Sequence, residues 1–142
     1  MTAIPRSALL LGLAGLIPFL AAAAAALAGG PDWSGWEDLI ALRYGVVILA
    51  FMSGVLWGFA TRASGRRAAL YYALSVLPAL WAFFTTLGAT GDGLRALIAG
   101  FAGLLILDWL YAWQGLAPAW WMRLRVLLTT VVVACLAVVL SL

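Results

Sequence analysis

The chain has 142 residues, of which 67% are hydrophobic and only 9% are charged, and its mean hydropathy is +1.14. Soluble domains are about half apolar and a quarter charged, so this composition excludes an ordinary soluble domain. All eight basic residues are Arg, which gives a net charge of +3, and most of them lie beside the ends of apolar runs. That distribution is typical of membrane-topology signals and argues against a nucleic-acid-binding surface.

Two absences limit the chemistry that the chain can perform. Histidine is missing altogether, and the single cysteine, Cys135, falls within the last apolar run. Haem ligated by His, the usual zinc sites and His-dependent nucleophilic catalysis therefore lack their central group. We predict no catalytic residue, no cofactor and no metal, and we interpret Cys135 as a packing residue.

The first apolar run follows Arg6 and contains Pro18 near its middle. We predict a retained first helix over about residues 7–28, in which Gly12 and Gly15 permit close contact between helices. A cleaved signal peptide is the alternative, because residues 26–28 have the small-x-small form of a signal-peptidase site. The length of the run and its interruption by Pro18 favour the retained helix.

The second predicted helix covers about residues 35–61, and no charge occurs in its central stretch 44–58. Ala50, Gly54 and Gly58 recur every four residues, so a helix presents them on one shallow face. Faces of small residues let helix backbones approach closely in membranes. We therefore predict that this face packs against the first and fourth helices.

The remaining three predicted helices cover about residues 67–87, 93–113 and 118–142. Pro78 falls at the middle of the third, where it removes a backbone hydrogen bond and is expected to bend the helix. Gly100 and Gly103 give the fourth a face of small residues. No segment is polar enough for a separate soluble domain, so we predict a single membrane domain, 1–142.

Turn and capping residues separate the predicted helices. Gly29 and Pro31 end the first, because Gly suits a helix cap and Pro cannot continue the helix. Ser34 and Glu37 fit a capping box at the start of the second. Asp92 is a candidate N-cap for the fourth, and Pro118 fits the first position of the fifth.

The arginines predict the orientation of the bundle. Six of them fall on one side: Arg6, Arg62, Arg66, Arg67, Arg123 and Arg125. The positive-inside rule places that side in the cytoplasm. We therefore predict an all-α integral membrane protein of a bacterial inner membrane, a compact bundle of five transmembrane helices. Its N-terminus is cytoplasmic and its C-terminus periplasmic.

Asp108 is an acid inside the fourth apolar run. Insertion scales assign roughly 2.5–3.5 kcal/mol to such a residue at the bilayer centre, so it is a functional candidate. It lies roughly 7 Å by helical rise from the inner end of the helix. There it can pair with Arg123, Arg125 or Arg6, and we interpret it as half of a structural ion pair, with a role in transport as the alternative.

Aromatic side chains cluster toward the predicted cytoplasmic side: Trp57, Tyr71, Tyr72, Tyr111, Trp113, Trp120 and Trp121. We interpret them as an interfacial aromatic belt. A flat aromatic groove for a quinone or another lipid-like ligand is the alternative, although no polar constellation supports it.

A set of segments runs through nearly the whole chain in order: residues 4–6, 12–19, 44–49, 57–58, 75–78, Asp108, 116–120 and 124–125. This order resembles the transmembrane protein 69 family, small polytopic proteins of bacteria and mitochondria with a conserved domain of unknown function. The resemblance implies a five-helix inner-membrane protein and brings no established activity. Relatives typically carry a His immediately before the Trp-Gly pair, where this chain has Leu56, so a role that rests on that His does not transfer.

These observations favour a non-enzymatic membrane protein that serves as an accessory, assembly or stabilising partner of a larger membrane complex. The expected partners are the lipid bilayer and other membrane proteins or a second copy of the chain, and no nucleic acid. The alternative function is a small transporter or proton-coupled permease that uses Asp108.

Overall fold

The computed structural model describes residues 3–29 and 35–142, and every regular element in those ranges is an α-helix. The helices are α1 (Arg6–Ala14), α2 (Ile17–Ala28), α3 (Trp36–Ala60), α4 (Gly65–Ser75), α5 (Leu77–Thr85), α6 (Thr90–Trp113) and α7 (Trp121–Ser141). They make five segments that are long and apolar enough to cross a membrane, with α1 and α2 forming the first and α4 and α5 the third. The predicted all-α membrane protein with five transmembrane helices is confirmed.

Helix α3 lies at the centre of the bundle and packs against every other span. Its inward side is buried along its whole length, at Ala41, Gly45, Leu49, Leu56 and Ala60 among others. At Gly45 the approach to α6 is so close that a Cβ atom would lie 2.6 Å from a methyl carbon of the Leu97 side chain. The absence of a side chain at this glycine therefore sets the distance between α3 and α6.

The first span is interrupted between α1 and α2, just before Pro18. Helix α2 packs against both α3 and α7, and its Phe19 is almost completely buried. The Tyr44 hydroxyl on α3 donates a hydrogen bond of 2.9 Å to the carbonyl oxygen of Gly15 at the interruption. Such a bond matters because lipid offers no alternative partner for a backbone group that leaves the helical ladder.

The third span is interrupted between α4 and α5, just before Pro78, at the position where the sequence predicts a bend. The first backbone N–H groups of α5 have no carbonyl partner within their own helix. Ser53 on α3 fills this need, because its Oγ accepts a hydrogen bond of 2.8 Å from the Ala79 N–H. Helix α3 thus supplies the side chain that satisfies the backbone at each of the two interruptions.

Replacing Ser53 with Ala should destabilise the bundle by about 1–3 kcal/mol, because the Ala79 N–H would be left without a partner in an apolar interior. Reversible unfolding in mixed micelles of dodecylmaltoside and dodecyl sulfate measures this loss. Ser141→Ala is the control, since that hydroxyl is exposed at the end of α7 and bonds to a carbonyl of its own last turn. Equal stability of the two variants would contradict the capping role of Ser53.

Two of the predicted helix starts are wrong. Helix α6 begins at Thr90, so Asp92 lies in its first turn instead of at the N-cap. An acid in the first turn is still favoured by the helix dipole, and Asp92 also pairs with Arg95 at 3.1 Å. Helix α7 begins at Trp121 and not at Pro118, because residues 118–121 form a turn in which the Trp121 N–H donates to the Pro118 carbonyl.

The ends of the first connection show two left-handed glycines. Gly29 follows the last residue of α2 with φ 65°, as the predicted C-cap requires. Gly35 precedes α3 with φ 90°, a conformation that few residues other than Gly adopt. Residues 30–34, including Pro31 and Ser34 of the predicted helix end and capping box, lie outside the described residues.

Candidate functional site

A buried polar cluster joins α6 to α7. The Asp108 side chain is completely buried, and its Oδ2 accepts a hydrogen bond of 2.8 Å from Nε of Arg125. Its Oδ1 accepts a second bond, of 3.0 Å, from the indole Nε1 of Trp121. Nη2 of Arg125 in turn donates to the Thr129 hydroxyl at 3.3 Å. Both carboxylate oxygens are therefore occupied, and the ion pair is supported by two neutral partners.

The spacing along α7 explains how three residues reach one carboxylate. Trp121, Arg125 and Thr129 follow one another at intervals of four, so a helix places them on one face. The register of this face against α6 depends on the connecting turn. Gly115 has φ 76°, and its N–H and that of Leu116 bond back to the last turn of α6 in a Schellman motif.

The structure selects one arginine from the three that the sequence offers to Asp108. Arg125 is 5% exposed and forms the ion pair, whereas Arg6 and Arg123 are exposed. Sequence reasoning missed Trp121 as the second partner of the carboxylate. The signal was present, because the tryptophan lies one helical turn before Arg125 on the same face.

The predicted aromatic belt is wrong for three of its seven members. Tyr71, Tyr111 and Trp121 belong to the buried core. The Tyr111 hydroxyl donates to the carbonyl of Tyr71, and the two rings meet edge to face at 4.9 Å between centroids. Because a Tyr or Trp carries a polar atom, burial is compatible with stability when that atom finds a partner, as it does here.

A cavity of about 420 Å³ lies beside the polar cluster, between the first span, α3 and α7. Its wall is apolar except at Arg125 and Thr129. Leu11 on α1 and Phe51 on α3 line it and are also largely exposed, so the cavity opens sideways at the surface of the bundle. In a membrane protein, this opening faces the lipid.

The face of small residues predicted to pack α3 inside the bundle points outward. Ala50, Gly54 and Gly58 are exposed, and a Cβ atom at either glycine would meet no atom within 4 Å. The prediction of packing within the chain is therefore wrong for these three residues. The physical reason is that lipid and helix interiors are equally apolar, so hydropathy does not tell one side of α3 from the other.

The other small residues named from the sequence divide into two groups. Gly12 packs against Leu128 on α7, and Gly15 lies at the interruption of the first span beside the Tyr44 hydroxyl. Gly100 packs against the Trp81 ring on α5, whereas a Cβ atom at Gly103 would meet nothing within 4 Å. Gly12 and Gly100 thus serve close packing between helices, whereas Gly15 is crowded only by backbone oxygens of its own span and Gly103 by no atom.

Leu56, which occupies the position where relatives of the resembled family carry His, is completely buried on the inward side of α3. Its surroundings are those of a core residue. Among residues 3–29 and 35–142 no cluster of three or more His, Cys, Asp or Glu side chains could hold a metal ion.

Comparison with known proteins places the chain. Residues 4–141 match the family described as "Protein of unknown function (DUF3429)". The chain is also 34% identical to transmembrane protein 69 of Xenopus tropicalis over 132 residues, which cover 91% of the chain and 51% of the relative. The chain thus spans about half the length of the curated relative that it matches, and no solved structure matches it.

The match covers all five spans, and the likeness to transmembrane protein 69 agrees with the resemblance seen in the ordered segments of the sequence. The chain therefore belongs to the DUF3429 family of proteins of unknown function, and it is a multi-pass membrane protein similar to transmembrane protein 69.

Proposed function

We propose that the protein is a non-enzymatic accessory or stabilising subunit of a larger complex in a bacterial inner membrane, oriented with its N-terminus in the cytoplasm. The observation that carries this proposal is the outward face of α3, which we define by Ala50, Gly54 and Gly58. It is uncharged and exposed, and a Cβ atom at either glycine would meet no atom of the described bundle within 4 Å. Small residues let a second helix approach closely, which lipid chains do not require.

The residues beside the outward face support a protein partner. Phe51 and Trp57 are 66% and 50% exposed, and both flank the small residues along α3. A shallow stripe between large side chains is the shape into which the ridge of another helix packs. We assign the face to a transmembrane helix of a different protein. Helix α3 then packs within the bundle through its inward side and binds the partner protein through its outward face.

Filling the outward face should release the protein from its complex. In blue-native gels after mild detergent extraction, we expect the wild type to migrate above the size of the chain alone. The double variant Gly54→Leu, Gly58→Leu should shift to the size of the monomer, because leucines would hold the partner helix away. Gly103→Leu is the matched control, since a Cβ atom there also meets no atom within 4 Å but the residue lies on α6.

Three results would refute this function. The first is a wild type that runs only as a monomer, and the second is a double variant that keeps the same high-mass species. A high-mass species composed only of copies of this chain, shown by co-purification of differently tagged copies, would establish self-association instead of an accessory role.

Transport through Asp108 is the second candidate, and the observation that favours it is the contact of Arg125 with the lateral cavity. Against it, both oxygens of the Asp108 carboxylate already accept hydrogen bonds from α7. A carboxylate held in this way is suited to fixing two helices in register. The accessory function is therefore the better supported of the two.

A further inference from the structure

The lateral cavity exists because the two halves of the first span take different courses. Helix α2 packs against α3 and α7, whereas α1 packs mainly against α7. The interruption before Pro18 thus leaves a space between α1 and α3, and α7 closes its far side. Its volume of about 420 Å³ falls within the range of small-molecule sites, roughly 300–1,000 Å³.

One donor of Arg125, a residue that lines the cavity, has no hydrogen bond. Arg125 is only 5% exposed. Its Nε donates a hydrogen bond to Asp108, and its Nη2 donates one to Thr129. No hydrogen bond to its Nη1 is found in the part of the chain that the structure describes. Nη1 is not fully enclosed, since Glu37 Oε2 is the only buried side-chain polar atom without a partner among the described residues. It is therefore reachable from the cavity, and in such apolar surroundings an acceptor atom delivered by an occupant of the cavity would stabilise the site.

The charge of the site selects the kind of acceptor. The carboxylate of Asp108 lies 2.8 Å from Arg125 and neutralises the guanidinium. A second anion would have to compete with that carboxylate, whereas a neutral carbonyl oxygen needs only a free N–H. Arg125 lies four residues into α7, about 6 Å by helical rise, so the donor is near the end of the span, where the ester groups of a bilayer lipid lie.

The shape of the cavity wall favours a flexible hydrocarbon chain of a lipid over a flat aromatic or quinone ring. Five of the six aromatic residues that line the cavity meet other rings edge to face, as Phe19 does with Phe101 and Phe59 with Trp121, and the sixth, Phe51, lies at the exposed rim. These pairs leave an irregular wall of ring edges and methyl groups, in place of the two parallel faces that a flat quinone ring would stack between. A flexible hydrocarbon chain follows such a wall.

We propose that the lateral cavity binds one acyl chain of an ester-linked membrane lipid, and that the ester carbonyl accepts a hydrogen bond from Nη1 of Arg125. The chain enters from the bilayer between Leu11 and Phe51 at the exposed rim. The lipid fills the space that α1 leaves open and holds the two halves of the first span against α3 and α7.

Photocrosslinking tests the site. The protein is reconstituted in phosphatidylcholine vesicles that contain a small fraction of phosphatidylcholine with a diazirine on one acyl chain, and adducts are mapped by peptide mass spectrometry. We expect adducts to concentrate on the cavity-lining parts of α1 and α3. Val55 lines the cavity, so Val55→Trp would fill the space that the acyl chain needs. We expect this variant to lower the number of adducts at least about threefold, which corresponds to a small loss of binding free energy. Val47→Trp is the control, because Val47 is exposed on α3 outside the cavity, and this variant should leave the number of adducts unchanged.

Competition in the wild-type protein tests the ester carbonyl without any variant. In vesicles whose bulk lipid is the diether analogue, which lacks the carbonyl acceptors, the labelled ester lipid should give at least about threefold more adducts than in vesicles whose bulk lipid is unlabelled phosphatidylcholine. Equal competition by the two lipids would overturn the role of Arg125. Adducts spread evenly over the lipid-facing surface, or stronger competition by a prenyl quinone than by the ester lipid, would overturn the proposal. A Val55→Trp protein that fails to fold leaves the competition result decisive.

Discussion

Replacing Arg125 with Met should lower the free energy of unfolding by about 3–5 kcal/mol, because it leaves the Asp108 carboxylate buried without its counter-charge. Asp108 is completely enclosed, and the remaining bond from Trp121 satisfies only one of its oxygens. The loss is measured by reversible unfolding in mixed micelles or as a fall in the melting temperature in mild detergent. It should far exceed the effect of Arg62→Met, which removes an exposed arginine from the loop between α3 and α4.

A double variant separates the charge from the other contacts of the pair. Asp108→Asn keeps an oxygen that accepts the bond from Trp121 but removes the charge. Combined with Arg125→Met, it should recover about 2 kcal/mol or more of the stability lost in the single Arg125 variant, since no unpaired ion remains. If the double variant is as unstable as the sum of the two single variants, the two side chains are not coupled and the ion pair does not hold α6 to α7.

The five-helix architecture could be predicted from the sequence because it depends on the length of the apolar runs. Each of the five predicted helices corresponds to a span, and the helix breakers Gly29 and Pro78 lie where the structure ends or interrupts a helix. These signals are local: a proline without an N–H and a glycine in a left-handed conformation act on their own segment, whatever the rest of the chain does.

The residues of the polar cluster could be predicted only in part from the sequence. The buried acid was visible in the sequence, but its choice of Arg125 depends on the register between α6 and α7, which the turn at Gly115 sets. A shift of α7 by one residue would have turned a different side chain toward Asp108. The pattern of Trp121, Arg125 and Thr129 at intervals of four fixes that register once it is read as one face.

Hydropathy could not predict which side of α3 faces the interior of the bundle. Its stripe of Ala50, Gly54 and Gly58 and its buried side around Gly45 and Leu49 are both uncharged and apolar. In water, exposure of one side to a polar solvent would have distinguished them, but both sides of a membrane helix meet hydrocarbon. The volume of the side chains does not distinguish the two sides either, because the buried side includes Ala41 and Gly45 and the exposed side includes Phe51 and Trp57.

Two of the glycines of α6, Gly100 and Gly103, differ in whether a neighbouring helix packs against them. Gly100→Leu should destabilise the bundle by about 2–4 kcal/mol, because it crowds the core and displaces Trp81. A Cβ atom at Gly100 would lie 2.8 Å from Cδ1 of that ring, and the same ring donates a hydrogen bond of 2.7 Å to the carbonyl of Ala96. Reversible unfolding in mixed micelles measures the loss of stability.

Gly103→Leu should keep the stability of the wild type or raise it by up to about 1 kcal/mol, because Leu favours the helix and its Cβ atom would meet no atom of the described residues within 4 Å. The two positions share a helix and differ by less than one turn, so helix propensity alone predicts the same gain for both. Equal stability of the two variants would mean that α5 and α6 do not meet at Gly100. A loss at Gly103 under native-membrane conditions but not in micelles would place a second protein contact on α6, and the outward face of α3 would then be only part of the surface that joins the complex.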